Sequence, residues 1–246
     1  MKRSCAVVLA AAALLAAAPA ASAATYCVSK PGCTGTEATL ANALKAAGDS
    51  PEPDRVEVGP GDYPTGSGFV YAEAAPNTLE LVGSGPATVL RAAATPQANT
   101  FTVLRITGAG SAVRDLTVTP PAPSGAAITT GLAVDGGLAE GITVAKGAGS
   151  ADASRGIRLG DGAELRRAVV SLVVDKDVPA VVATGDATLL DSQLTGGTGA
   201  QATGGARLLV RRTRFRVRYA ALRARGATVE AESVLIVEAA QQTVDA

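Results

Sequence analysis

From about residue 54 to residue 238, apolar residues fall in short alternating runs separated by glycine-containing turns. In "DRVEVGPGDY", Val56 and Val58 alternate with polar neighbours before a Gly-Pro-Gly turn, the pattern of a half-buried strand. The segment "GIRLGDGAELRRAVV" (156–170) reads as strand, glycine turn and second strand, and it recurs as "AVVATGDATLLDSQL" and "AALRARGATVEAESVL". Taking the apolar residue after each turn as a marker gives Val113, Leu138, Leu165, Leu189, Leu209 and Val229, separated by 25, 27, 24, 20 and 20 residues. A period in this range predicts a solenoid, whose repeats cannot bury their apolar faces singly. Leucine-rich repeats share the period, but the chain lacks their Asn- and Leu-dense consensus and a helix per repeat. Strands of Val, Leu and Ile with turns of Gly, Asp, Ala and Thr predict a β-solenoid, with equivalent residues about 4.8 Å apart. Its expected core is Val56, Val58, Leu79, Leu81, Leu104, Val113, Leu138, Leu165, Leu189, Leu209 and Val229.

One segment follows a different period. In residues 37–48, "EATLANALKAAG", Leu40, Ala43, Leu44 and Ala47 share one helical face, Gly48 supplies a stop, and Thr39 or Thr36 can cap the start. A helix across the end of a solenoid covers strand edges and core side chains that would otherwise be open. "ESVLIVEAAQQTVDA" offers no equivalent at the other end, so weak self-association is expected through the C-terminal coil.

The first 23 residues have a basic head (Lys2, Arg3), the apolar run "AVVLAAAALLAAA" and small residues up to Ala23, the pattern of a secretory signal peptide. Its removal leaves residues 24–246 as one expected domain, secreted or periplasmic, and no later run is long enough for a membrane span. Cys5 leaves with the leader and sits too early for a lipid-anchor site. Cys27 and Cys33, even in number on an exported chain, are read as a disulfide.

Composition narrows the chemistry. There is no histidine, which removes Ser-His triads, histidine acid–base catalysis and ordinary zinc sites. Twenty-two basic residues balance twenty-two acidic ones, so no overall field steers the chain toward nucleic acid or an anionic membrane. Tryptophan is absent and aromatics make up 3%, few for sugar- or base-stacking platforms. "TGGTGAQATGG" lacks the Lys-Ser or Lys-Thr of a phosphate loop, and no nucleophile elbow is present.

"TLANALKAAG" followed by "DRVEVGPGDY", "LELVGSG" and "VRDLTV" resembles the pectin-lyase-like family over about residues 36–238. The resemblance implies an all-β, right-handed parallel β-helix of three parallel sheets with an N-terminal capping helix. That family spans polysaccharide lyases, glycoside hydrolases, esterases, epimerases, phage tailspikes and members without known catalysis. The galacturonase-like pattern of paired aspartates with a glycine-flanked histidine is excluded here, and no match to the esterase-like motif stands out.

Two side-chain groups are candidate sites. Asp135, Asp161 and Asp186 each precede a marker by three or four residues, so stacking is expected to align them as an oxygen-rich Ca²⁺ column. In lyases of the resembled family Ca²⁺ bridges acidic groups to a uronate and an arginine takes the proton alpha to its carboxylate; Arg158 and Arg166 are the nearest bases by sequence. Asp beside Gly is also ordinary turn chemistry, as is "VDKD" with Asp175, Lys176 and Asp177. The second group is Arg212, Arg214, Arg216 and Arg218, which period two turns outward while Phe215 and Val217 turn inward. Such a stripe suits a polyuronate, a teichoic-type phosphate or another anionic envelope polymer. It equally suits a solvated face that keeps neighbouring sheets apart. The expected function is therefore a non-catalytic, secreted or cell-surface β-helix that presents an elongated face to polysaccharide, with a Ca²⁺-dependent polysaccharide lyase or related uronate enzyme as the alternative.

Overall fold

The structure, a computed structural model, describes residues 23–33, 35–72, 77–93, 100–121, 128–145, 154–172, 177–238 and 244–245. Residues 1–22 of the expected signal peptide 1–23, and Asp175 and Lys176 of "VDKD", lie outside these.

The chain is a right-handed parallel β-helix with three faces. The first face is a ten-stranded sheet in the order Thr36–Glu37, Thr25–Val28, Asp54–Val58, Leu79–Val82, Ala112–Arg114, Leu138–Glu140, Ala163–Arg166, Ala187–Leu190, Arg207–Arg211 and Thr228–Glu232. The second face runs from Gly61–Thr65 through Thr88–Ala92, Thr117–Thr119, Thr143–Ala145 and Val169–Ser171; the third runs from Phe69–Ala72 through Thr100–Thr107, Ile128–Asp135, Ser154–Leu159 and Pro179–Ala183. These two faces merge into one hydrogen-bonded sheet, because Gln193–Thr203 and Arg214–Arg225 are long strands that run through the corner between them. Gly199 allows this turn: a Cβ there would lie 2.4 Å from the Phe215 ring.

Side chains stack in columns. The central inward column of the first face is Val56, Leu81, Val113, Ala139, Leu165, Leu189 and Val210, all with no exposed surface. Two expected core residues are out of this register. Leu138 pairs with Ala112 and Glu164, and Leu209 with Thr188 and Glu230; both lie on the outer side and are half-buried. The cause is turn length. Val134 and Leu159 are partners, and so are Leu138 and Glu164, so the second turn carries one residue more than the first. Val229 is inward over Leu208 but only partly covered, being in the last strand of this sheet.

The bend from the first to the second face repeats in six successive coils from Ala112–Arg114 onward. Asp115, Gly141, Arg167, Asp191, Arg212 and Ser233 all have φ between 47° and 64°, and each is followed by an inward residue. A left-handed conformation costs a non-glycine residue about 1–2 kcal/mol. It is held because each bend amide donates to the next coil: Asp115 to the Glu140 carbonyl at 3.0 Å, Arg167 to Leu190 at 3.2 Å, Asp191 to Arg211 and Arg212 to Glu232 at 3.1 Å.

The helix is Leu40–Asp49, with Leu40, Ala43, Leu44 and Ala47 buried and Thr39 Oγ1 accepting the Asn42 amide at 3.2 Å. It packs on Thr25–Val28, Asp54–Val58 and Phe69–Ala72, so the N-terminal end of the core is covered. Cys27 and Cys33 form a disulfide beside it. No helix among the described residues is long and apolar enough to cross a membrane.

Candidate functional site

Strand Arg214–Arg225 alternates as expected over its first five residues: Arg214, Arg216 and Arg218 are exposed while Phe215 and Val217 are buried. Arg214 and Arg216 stand beside Gln193 and Thr195 of the preceding strand. Together with Leu194 and Val237 these four line an open cleft of about 300 Å³. Two guanidinium groups over amide and hydroxyl donors form a surface suited to carboxylate, phosphate or sugar hydroxyls. An extra residue opposite Gly196–Thr198 puts Arg218 at the corner, its guanidinium carbon 5.7 Å from the Tyr219 ring centroid. Arg212 does not share this face. It occupies the left-handed bend and grips Asp191 with two bonds of 2.6 and 2.8 Å, which hold the Asp191 carboxyl below the usual carboxylate range.

The three aspartates step across one turn. Asp135 pairs with Thr107 at the end of its strand and lies under Gly160, whose Cβ position would be 1.9 Å from Asp135 Oδ1. Asp161 lies under Gly185, and the Gly162 amide donates to the Asp186 carbonyl at 2.7 Å. Each carboxylate has its own partner: Asp135 takes Arg158 Nη2 at 2.6 Å, with Arg105 at 3.6 Å; Asp161 accepts the Asp186 amide at 3.2 Å; Asp186 accepts the Arg207 amide at 2.9 Å. Among the described residues no group of three His, Cys, Asp or Glu side chains is placed to hold a metal ion. Of the two arginines, Arg158 reaches the aspartates while Arg166 lies on the first face and pairs with Glu164. Arg105 and Arg158 are outward residues in one column of the third face, with Ala133 between them.

That column continues through Val182 and Gln201 to Arg223. Arg223 is nine-tenths buried, and its Nη1 donates to both oxygens of Asp177 at 2.9 Å, while Thr198 Oγ1 donates to Asp177 Oδ1 at 2.5 Å. Partial burial raises the Asp177 carboxyl, but the Arg223 and Thr198 bonds outweigh it and hold the group below its ordinary value. Asp177 thus ties the segment before strand Pro179–Ala183 to a strand two rungs on.

A charge ladder on the outside of the first face escapes sequence reading. Lys30 bridges Glu57 at 2.5 Å, Arg55 joins Glu57 to Glu80, Arg114 joins Glu80 to Glu140, and Arg167 reaches Glu140 at 3.0 Å. The Lys30 and Arg55 bonds lower the Glu57 carboxyl. Bonded partners in it lie up to 34 residues apart in sequence, so stacking in register brings them together.

These features are those of a right-handed parallel β-helix. Two crystal structures of the pectin methylesterase from Aspergillus niger, one deglycosylated and one penultimately deglycosylated, are similar to the chain: TM-score 0.55, 13% identity, 93% of this chain and 85% of that one covered. No family model matches the chain, and no curated protein does. At this identity the likeness establishes the fold.

Proposed function

We propose that the protein is exported and binds an anionic polysaccharide, without turning it over, along the outward face of the joined sheet around Arg214 and Arg216. The observation that carries this reading is the cleft in which those two arginines stand beside Gln193 and Thr195. Rungs about 4.8 Å apart give an elongated face that suits a polymer better than a compact metabolite. The pectin methylesterase likeness supports a polysaccharide ligand, and the Cys27–Cys33 disulfide supports export.

The test is binding of the purified chain to polygalacturonate, alginate and a neutral glucan at low and moderate salt. Binding is expected for the acidic polymers and should weaken with salt. Arg214→Ala with Arg216→Ala is expected to lower it by roughly tenfold or more, since a charge-assisted bond contributes about 1.5–3 kcal/mol. Unchanged binding by the double variant refutes the site. The same preparations, assayed for unsaturated uronate with and without Ca²⁺, are expected to yield none. Product in that assay replaces this reading with the lyase alternative, whose centre would then be sought around Asp135 and Arg158.

A further inference from the structure

Strand Asp54–Val58 buries every second residue, so Asp54 points inward with Val56 and Val58 and is only 4% exposed. A carboxylate in such a place is costly unless it is hydrogen-bonded and its charge is matched. Asp54 meets only half of this. Its Oδ1 accepts the Ala24 amide at 2.8 Å, while its Oδ2 is buried without a hydrogen-bond partner. Among the described residues no lysine or arginine pairs with it; Arg55, the next residue, lies on the other side of the strand and is bonded to Glu57 and Glu80.

The nitrogen that reaches Asp54 belongs to the residue just before strand Thr25–Val28. Thr25 is paired with Arg55, and the Arg55 amide donates to the Ala24 carbonyl at 2.9 Å, which sets Ala24 beside Asp54 on the sheet. Ala23, one residue earlier, is exposed and in no strand. The sequence Ala21-Ser22-Ala23 puts small residues at the first and third positions before the Ala23–Ala24 bond, the pattern at which a leader is cut. Hydrolysis breaks that bond with one water: the hydroxyl joins the Ala23 carbonyl carbon, the hydrogen joins the Ala24 nitrogen, and the acid so formed gives its proton to the amine. The products are a carboxylate on the leader and an α-ammonium on Ala24, the form that prevails at pH 7.

We infer that Asp54 is the receiving site for the amino terminus created when the leader is cut after Ala23. The neutral N–H on Oδ1 becomes, on the same nitrogen, a cation with three donors, enough to serve both oxygens, and the buried charge gains its counter-charge. Any residue retained before Ala24 leaves a single neutral N–H there, so the uncut chain keeps an unmatched carboxylate and the cut chain does not. Processing thereby stabilises the end of the coil where the helix packs and the Cys27–Cys33 disulfide lies. The inference rests on the reading of the chain as exported, and it adds the position of the cut and the side chain that holds its product.

The test uses the chain exported under its own leader, whose intact mass is expected to begin at Ala24. Two serines inserted between Ala23 and Ala24 keep the small residues before the cut and move the amine off Asp54. Urea titration is expected to show the folding equilibrium constant of the inserted chain lowered by about tenfold or more, the scale of a charge-assisted bond. Asp54→Asn keeps an acceptor for Ala24 and removes the charge; it is expected to cost the parent chain a similar factor and not to weaken the inserted chain further, since the charge pair is already absent there. An equilibrium constant unchanged by the insertion, or losses that add in the combined variant, overturns the inference, and if Asp54→Asn is not recovered folded the insertion alone decides. An exported chain that begins at another residue overturns it and leaves export standing, whereas a chain that keeps its leader and stays inside the cell overturns export with it. Polysaccharide binding by the inserted chain is expected to be unchanged, which separates failure here from failure of the Arg214–Arg216 site.

Discussion

Truncating Leu165 and Leu138 to alanine tests the register of the stack in a single comparison. Leu165 is fully buried between Ala139 and Leu189, whereas Leu138 is half-buried on the outer side between Ala112 and Glu164. Removing a fully enclosed leucine costs its transfer energy plus the cavity left behind, about 2–5 kcal/mol. Ala139 above is too small to fill the gap, which favours the upper half of that range. Half-burying a leucine contributes about half of the 1.5–3 kcal/mol of full burial, so Leu138→Ala should cost about 1 kcal/mol. With a urea slope of about 3 kcal/mol/M, expected for a chain of this size, the midpoint should fall by about 1.2–1.7 M for Leu165→Ala and about 0.3 M for Leu138→Ala. Circular dichroism at 218 nm during urea titration measures both. Equal shifts, or a larger one for Leu138, refute the assigned columns, because both residues carry the same side chain and follow the same kind of turn.

Other perturbations address the polar contacts. Because the Asp177 carboxyl lies below its ordinary value, its contribution is complete above the unfolded carboxylate value and disappears as pH falls through the folded one; Asp177→Asn should therefore flatten the acid limb of the stability curve below about pH 4, and an unchanged limb contradicts the Arg223 contact. Glu140→Gln removes a carboxylate bridged by two arginines and should lower stability by about 1 kcal/mol at low salt and by less in 1 M NaCl; a loss independent of salt would assign the effect to packing. Reducing the Cys27–Cys33 bridge should cost about 2 kcal/mol by the loop-closure estimate, read as a lower thermal midpoint in reductant, and a Cys27→Ser, Cys33→Ser variant should already melt there and ignore the reductant.

The repeat was legible because each coil must bury Val, Leu or Ile between its neighbours, and the helix because Leu40, Ala43, Leu44 and Ala47 leave only one face to cover. Registration between coils was less legible. A marker placed after each turn assumes turns of one length, and the extra residue between Leu159 and Glu164 is enough to put Leu138 on the wrong side. The same slippage separates the aspartates, which share a turn but not a position in it. Arg214, Arg216 and Arg218 were readable because period two holds along a single strand. Arg212 was not, because it is itself the left-handed residue of the bend and stands outside the sheet pattern, as Asp191 does one coil earlier. The Asp177–Arg223 and Glu140 contacts depend on coil lengths that vary along the chain, and no local motif announces them.

The stacking itself is tested most directly by nuclear Overhauser contacts among selectively labelled leucine, valine and alanine methyl groups in the folded chain. The columns predict an unbroken path from Val113 through Ala139, Leu165 and Leu189 to Val210. A path that instead enters Leu138 and Leu209, or cross-strand contacts of antiparallel hairpins, would contradict the parallel coil and with it the shared face of Arg214 and Arg216.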